Sequence, residues 1–322
     1  MTIIKCYCRL NFGLIDLSDK PYRIDGNHGI YTNLVLGQVC IKFSEKYKVQ
    51  IHDTYPSRYY EVIRKCIALI DDISAEHVNI SLENYIGNHI GLGSGTQLAM
   101  SIVEAFNREF DLNLSIDEKA YLAGSGGSSN IGVYCFEHGG YILDAGRLYP
   151  KEKDSIGPSE NYHFQKLSPL LARLELPEWY VCIVTSKMDF VIEGKLETNL
   201  FQKYTPIPEN EVNSLCMWIL KGIMPAIITR NFLSFCYSIE QVMKIGFRSR
   251  EILTYDLVVK EKMKALKDAG LNGVGMTSFG PTVFGFAADE QSANLAYNVL
   301  KNRFILDNVY ITTVRNKGAD FY

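Results

Sequence analysis

A chain of 322 residues, 47% of them hydrophobic, can bury one large core or two moderate ones, and ordinary domain sizes favour two that share a cleft. A formal net charge of −3 gives no field that would hold nucleic acid, so an anionic ligand must be met by locally placed groups and a small molecule is the expected partner. Eight scattered cysteines include no CxxC pair and no Cys/His cluster with zinc spacing, which fits reduced thiols in a cytoplasmic protein.

The N-terminus meets charge at Lys5 and Arg9, which interrupts any signal-peptide core. Residues 2–10, 29–42 and 47–51 are rich in β-formers and punctuated by glycine, predicting an N-terminal sheet whose loops carry Asp16, Arg23 and Asp25. Apolar residues from Arg58 to Ile73 recur at helical spacing, and a strand follows near 77–82. A helix runs from Gln97 to Glu109 through Leu98, Ile102, Ala105 and Phe106, and a shorter one covers Asp117 to Ala123. A loop rich in glycine and serine then leads to two predicted hairpin strands, Val133–Phe136 and Gly140–Leu143. The stretch 147–170 has three prolines and no period, which places a domain boundary near residue 165, giving units 1–165 and 166–322. Beyond it come a strand at 180–185, helices near 209–222, 229–245 and 251–269, a strand at 282–286, a helix at 290–302 and a last strand at 309–314. Strands separated by helix pairs predict an α+β sandwich on an antiparallel sheet. The apolar stretch 217–228 contains Lys221 and Pro225 and reads as too short to cross a bilayer, so no membrane partner is expected.

Gly91-Leu92-Gly93-Ser94-Gly95-Thr96 opens directly into the helix that includes Gln97. Its glycines let backbone N–H groups turn toward a ligand, Ser94 and Thr96 add hydroxyls, and the helix contributes unpaired amides and its dipole. That is a phosphate site without lysine. The GxxxxGK[ST] pattern fails because no lysine follows, and GxGxxG fails because position 96 is threonine. A plain helix cap is the alternative. The second loop, Gly126-Gly127-Ser128-Ser129-Asn130, has the same backbone-rich character.

The first loop resembles the GLGSS-type motif of the GHMP superfamily of small-molecule kinases. Four ordered segments narrow the resemblance: RLNFGLIDL at 9–17, GLGSGTQLA at 91–99, GGSSNIGV at 126–133 continuing into FEHGGYILD at 136–144, and SFGPTV at 278–283. Together they resemble the β-ribofuranosylaminobenzene 5′-phosphate synthase family, including its C-nucleoside synthase relatives. The resemblance implies a two-domain α+β fold of GHMP-kinase type, with an N-terminal ribosomal-protein-S5-like α/β domain and a C-terminal ferredoxin-like sandwich. It also implies a reaction: phosphoribosyl pyrophosphate joined through its anomeric carbon to a ring carbon of an aromatic or heteroaromatic carboxylic acid, with loss of CO₂ and pyrophosphate and with Mg²⁺ as cofactor. Two alternatives stay open, an ATP-dependent kinase of the superfamily and a non-catalytic relative that binds a phosphorylated metabolite. A homodimer is permitted.

One residue argues for transfer over phosphorylation. GHMP kinases carry GxxSGxD, whose aspartate is a base toward the substrate hydroxyl; with its serine aligned to Ser129, Gly132 stands where that aspartate would be. A kinase without the group loses roughly 10²–10⁴-fold, whereas attack by a ring carbon on a sugar cation needs no base there.

The resemblance implies a donor cradle of Gly91, Gly93, Ser94, Gly95, Thr96 and Gln97 with Gly126, Gly127, Ser128, Ser129 and Asn130. Arg9 and Arg23 have forked donors suited to a carboxylate or phosphate. Asp25, in a segment similar to the family's RxDGG, joins Arg9 and Asn11 as a candidate catalytic residue. Asn27 replaces the second glycine of that segment and Asn11 replaces a histidine common after Arg-Leu, which leaves the aromatic acceptor open. Ser278, Gly280 and Thr282 are candidates to close over the ligand, and Asp16 and Glu197 are candidate metal ligands, Glu197 equally a helix-cap carboxylate. Lys187 and Lys195 could face phosphate, and His89 lies just before the loop, but solvated side chains are the commoner state for each.

Overall fold

The computed structural model describes residues 2–43, 50–51, 57–70, 78–83, 91–185, 192 and 194–322. Lys187, His77 and His89 lie outside the described residues. The N-terminal half runs β1 (Thr2–Asp16), β2 (Arg23–Phe43), β3 (Gln50–Ile51), α1 (Ser57–Ile67), β4 (Val78–Glu83), α2 (Ser94–Glu109), α3 (Ile116–Leu122), α4 (Ile131–His138), β5 (Tyr141–Asp144), β6 (Arg147–Leu148) and β7 (Leu170–Leu174). The remainder runs β8 (Tyr180–Thr185), α5 (Lys195–Tyr204), α6 (Glu209–Met217), α7 (Met224–Ile228), α8 (Phe232–Val242), α9 (Gly246–Thr254), α10 (Asp256–Asp268), β9 (Asn272–Met276), β10 (Val283–Ala287), α11 (Glu290–Arg303), β11 (Asn308–Thr313) and β12 (Asp320–Phe321).

Among the described residues the first sheet has eight strands, in the order β12-β1-β2-β4-β3, with β5 and β6 pairing β2 and β7 pairing β5. The second is the antiparallel order β11-β8-β10-β9. The architecture is the expected α+β arrangement. β7 lies beyond residue 165 yet belongs to the first sheet, and β12 returns to that sheet from the C-terminus. One hydrophobic cluster runs through both layers, from Leu10, Leu98 and Phe106 to Cys182 and Ile183 of β8 and Phe284 of β10.

Long β1 and β2 pair antiparallel, with register shifts between Cys6 and Tyr7, Tyr7 and Arg9, and Asn11 and Gly13. Bulges re-aim side chains and increase local twist. Here they bracket Arg9 and Asn11, two of the candidate site residues.

Three expectations change. Val133–Phe136 is not a strand but the middle of α4, buried on every side, so an apolar run too short to show a period hid a core helix. Asp16, Arg23 and Asp25 lie at strand ends rather than in free loops. The helix expected at 209–222 continues through a π-helical segment to Ile228, giving 20 residues that by length and composition would suffice to cross a membrane. A third of its apolar window is buried in the fold, and Val212, Leu215, Ile219, Ile223, Ala226 and Ile227 form its inward stripe at helical spacing.

Candidate functional site

Gly93 is the N-cap of α2 with φ +77°, a left-handed conformation that favours glycine, and no side chain caps the helix. A Cβ there would lie 2.6 Å from Arg9 Cγ, so the missing side chain is the space through which Arg9 crosses the loop. Arg9 also donates from Nη1 to the Gly91 carbonyl at 3.1 Å, and its backbone N–H donates to the Leu92 carbonyl at 3.1 Å. Among the described residues no carboxylate lies within ion-pair distance of this guanidinium, and burial lowers its proton affinity. Thr277 joins the segments: its hydroxyl accepts from the Asn11 N–H at 2.9 Å and donates to the Gly91 carbonyl at 3.1 Å. Gly280 packs backbone to backbone on Gly91.

The second loop is braced from beneath. Arg147 donates to the Gly126 carbonyl at 2.7 Å, and Ser128 donates to the Gly157 carbonyl at 2.7 Å. Lys153 Nζ reaches both Asp25 oxygens at 3.0 and 2.8 Å and Ser128 Oγ at 2.9 Å, stacked over the Tyr162 ring. Burial raises the Asp25 carboxyl and lowers the Lys153 ammonium, while their mutual attraction opposes both shifts. Asp144 accepts from the Gly146 N–H at 3.0 Å, Ser168 Oγ at 2.9 Å and the Asn130 N–H at 3.3 Å, and burial pushes it up to about 6.

Between the loops lies a cavity of about 450 Å³. Its floor is Arg9, Asn11, Asn27, Thr96 and Gly126–Ser129; its far wall is Glu197, Phe201, Arg248, Glu251, Ser278 and Phe279; Glu61, Lys65 and His163 also line it. An adjoining hollow of about 180 Å³ shares Arg9, Thr96, Glu197, Ser278 and Phe279 and adds Gly91, Gly93, Ser94 and Gly95. Arg248 is fully enclosed and donates to the carbonyls of Phe12, Ser278 and Asn11 and to Asn11 Oδ1, at 3.2, 3.2, 3.1 and 2.8 Å. Its Nη1 lies 2.7 Å from Glu251 Oε2. Asn27 Oδ1 is buried with no protein partner among the described residues, a cost that a donor on a ligand would offset.

Gly132 sits on α4 directly against α2. A Cβ there would fall 2.8 Å from Thr96 Cγ2, so no larger residue fits without displacing the loop threonine. Gln97 ties the same two helices, accepting from Tyr31 Oη and donating to the Gly132 carbonyl, both at 2.7 Å.

Residues 57–140 match the family model described as the GHMP kinases N terminal domain. The chain is 32% identical over 328 residues to the β-ribofuranosylphenol 5′-phosphate synthase of Methanothermobacter thermautotrophicus, covering 98% of this chain and 97% of that protein. The chain belongs to the β-ribofuranosylphenol 5′-phosphate synthase family. A second member of the family, from Methanocaldococcus jannaschii, is 29% identical over 98% of both chains. The fold is that of GHMP kinases: homoserine kinase from Cytophaga hutchinsonii superposes with a TM-score of 0.69 at 17% identity, covering 100% of this chain and 97% of that one.

In this family member the structure brings together Arg9, Asn11, Asn27, Gly91, Gly93, Ser94, Gly95, Thr96, Gly126, Gly127, Ser128, Ser129, Glu197 and Ser278. It does not bring Asp16, Arg23 or Asp25 to the cavity. Asp16 accepts from the Ser18 N–H and hydroxyl, Arg23 donates to the Ala145 and Gly146 carbonyls, and Asp25 is held by Lys153. Gln97, Asn130, Gly280 and Thr282 stand one layer behind the lining. Sequence reasoning missed Arg248 and Glu251, whose i, i+3 spacing on a helix in the other half of the chain is an ordinary surface pattern. It also missed Thr277, Lys153, Phe201 and Phe279, although Thr277 directly precedes a segment singled out for its resemblance.

Proposed function

We propose that this protein transfers the phosphoribosyl group of phosphoribosyl pyrophosphate to a ring carbon of an aromatic or heteroaromatic carboxylic acid, releasing pyrophosphate and CO₂. The observation that carries the choice of transfer over phosphorylation is Gly132 packed on Thr96, where a kinase base would have to stand. That the archaeal relatives are ribofuranosylphenol phosphate synthases supports a hydroxyaryl acid as acceptor.

The chemistry asks for two things. Departure of pyrophosphate leaves positive charge on the ribose, so donors must be aimed at the leaving group before it leaves. The uncapped N-terminus of α2, with Ser94, Gly95, Thr96 and the charge of Arg9, meets that need. The second requirement is a ring held against C1 of the sugar, where geometry alone contributes a large share of the rate. Asn11, Asn27, Phe201 and Phe279 supply the polar and aromatic wall for it. The ring carbon bearing the carboxylate forms the bond to C1 as the C1–O bond to pyrophosphate breaks, and loss of CO₂ returns its electron pair to the ring.

Mg²⁺ fits this donor set in one place. Glu197 lines both the cavity and the adjoining hollow, whose lining Ser94 and Thr96 share, and carboxylate and hydroxyl are hard oxygen donors of the kind the ion takes together with substrate phosphates. Among the described residues no three His, Cys, Asp or Glu side chains cluster to bind a metal by themselves, and Asp16 is turned away, so diphosphate oxygens would complete the shell. When bound, the ion would neutralise the departing pyrophosphate.

Incubation with phosphoribosyl pyrophosphate, Mg²⁺ and a panel of aromatic acids is expected to release pyrophosphate with at least one acid and to form a C-riboside product. ADP formed from ATP with a small-molecule alcohol, and no pyrophosphate from any acid, would favour the kinase reading instead.

A further inference from the structure

Among the described residues three carboxylates line the cavity, and they are not equivalent. Glu61 is exposed at the mouth and paired with Lys65 at 2.9 Å. Glu197 stands beside the phosphate loop. Glu251 is buried, its side chain only 6% exposed, and faces the cavity from α9. One of its oxygens lies 2.7 Å from Arg248, and Arg248 in turn holds Asn11 at 2.8 Å, so the carboxylate belongs to the wall where the acceptor ring is expected.

We propose that Glu251 is the general base of the acceptor, taking the proton of its ring hydroxyl or ring N–H as the ring carbon attacks the sugar. The inference rests on the ribosyl-transfer reading above. The O–H bond breaks to Glu251 and its electron pair enters the ring. The carbon bearing the carboxylate forms the bond to C1, and the C1–O pair leaves on pyrophosphate. After CO₂ departs and its bonding pair restores the ring, the oxygen takes the proton back and Glu251 is reset. A phenolate is a far stronger carbon nucleophile than the phenol, so the base acts on the attacking group and not on phosphorus.

The surroundings agree. Arg248 beside it on α9 and Arg9 from β1 both favour the carboxylate, but burial outweighs them and pushes Glu251 up to about 7. Tyr255, which follows α9, donates its hydroxyl to the Phe279 carbonyl and feels the charges of both Glu251 and Glu197 of α5. A base with a proton affinity near neutrality both accepts and returns a proton at physiological pH.

The test compares the wild type with Glu251→Gln, which keeps shape and a partner for Arg248. The acceptors are 4-hydroxybenzoate and 4-(dimethylamino)benzoate, the second electron-rich but with no proton to lose. Turnover of 4-hydroxybenzoate by the wild type is expected to fall about tenfold per pH unit below about 7, as Glu251 becomes protonated. Glu251→Gln should lose the acid limb and slow hydroxybenzoate roughly 10²–10⁴-fold, with the dimethylamino acid slowed far less. A variant that keeps the limb, or that slows both acids equally, overturns the proposal. If the wild type releases no pyrophosphate with any acid, the ribosyl-transfer reading fails and the proposal falls with it, whereas pyrophosphate release with Glu251→Gln behaving alike on both acids overturns the proposal alone.

Discussion

Arg248 Nη2 donates to Asn11 Oδ1 at 2.8 Å and to the Asn11 carbonyl at 3.1 Å, so one guanidinium from α9 fixes the β1 wall of the cavity. The planar fork sets this geometry, since each of its nitrogens has a protein acceptor, and its charge faces Glu251. Arg248→Met is expected to destabilise the protein by roughly 3–5 kcal/mol, because it leaves Glu251 buried without its cation. Arg248→Lys should recover part of the stability but not the acceptor KM. Urea denaturation with steady-state kinetics on both variants checks this; a lysine variant with wild-type KM would refute the positioning role.

Asp25 is a structural anchor, joined to Lys153 through both oxygens and by way of Lys153 to Ser128 of the second loop. Asp25→Asn strands a buried ammonium, at a cost of roughly 3–5 kcal/mol, and loosens the loop. The expected kinetic signature is a raised KM for the phosphoribosyl donor with kcat at saturation changed by less than a few-fold. Full stability with a collapsed kcat would instead place Asp25 in the chemistry.

Gly132 and Thr96 test the absence of a kinase base. Gly132→Asp would drive a side chain into Thr96, whose Cγ2 lies 2.8 Å from the first added carbon. The variant is expected to lose donor binding and to gain no ATP-dependent phosphorylation. Coupled assays for ADP and for pyrophosphate decide the matter, and ADP production by Gly132→Asp would contradict it.

His28 is wholly buried between Phe12 and Tyr141, with Nδ1 3.2 Å from Tyr141 Oη and Nε2 without a hydrogen-bond partner among the described residues. Burial, with the charge of Arg248 adding to it, pushes its proton affinity down to about 3 from the ordinary 6.5. Between those values the unfolded chain binds the extra proton and the folded one does not, so this residue's contribution is intact above about 6.5 and is lost as pH falls toward 3. Thermal melts of the wild type and His28→Met across the acid range should therefore converge as pH drops. Parallel curves would mean that His28 does not titrate as argued.

Much of this site could be read from the sequence because the loops on one side of it are built from backbone. GLGSGT and GGSSN are legible since glycine at left-handed positions and an uncapped helix leave a local signature, and Gly132 stands out once the second loop is aligned on the kinase motif it resembles. The rest depends on partners far along the chain. Arg9 reads as a forked donor for an anion, yet its place is set by the missing Cβ of Gly93, and Asp25 reads as catalytic until Lys153, 128 residues away, is seen to hold it. Arg248 and Glu251 carry no local mark at all, because only the packing of α9 on β1 turns a commonplace i, i+3 pair into a cavity wall. The helix α4 was obscured for a related reason: a segment buried on all sides shows no polar face from which to read its period.

The most direct measurement is stoichiometric. With phosphoribosyl pyrophosphate, Mg²⁺ and carboxyl-labelled 4-hydroxybenzoate or a heteroaromatic analogue, one labelled CO₂ is expected for each pyrophosphate, with a product in which ribose C1 is bonded to the ring carbon that bore the carboxylate. Pyrophosphate released with the label retained, as an ester or N-riboside, would contradict decarboxylative C-ribosyl transfer.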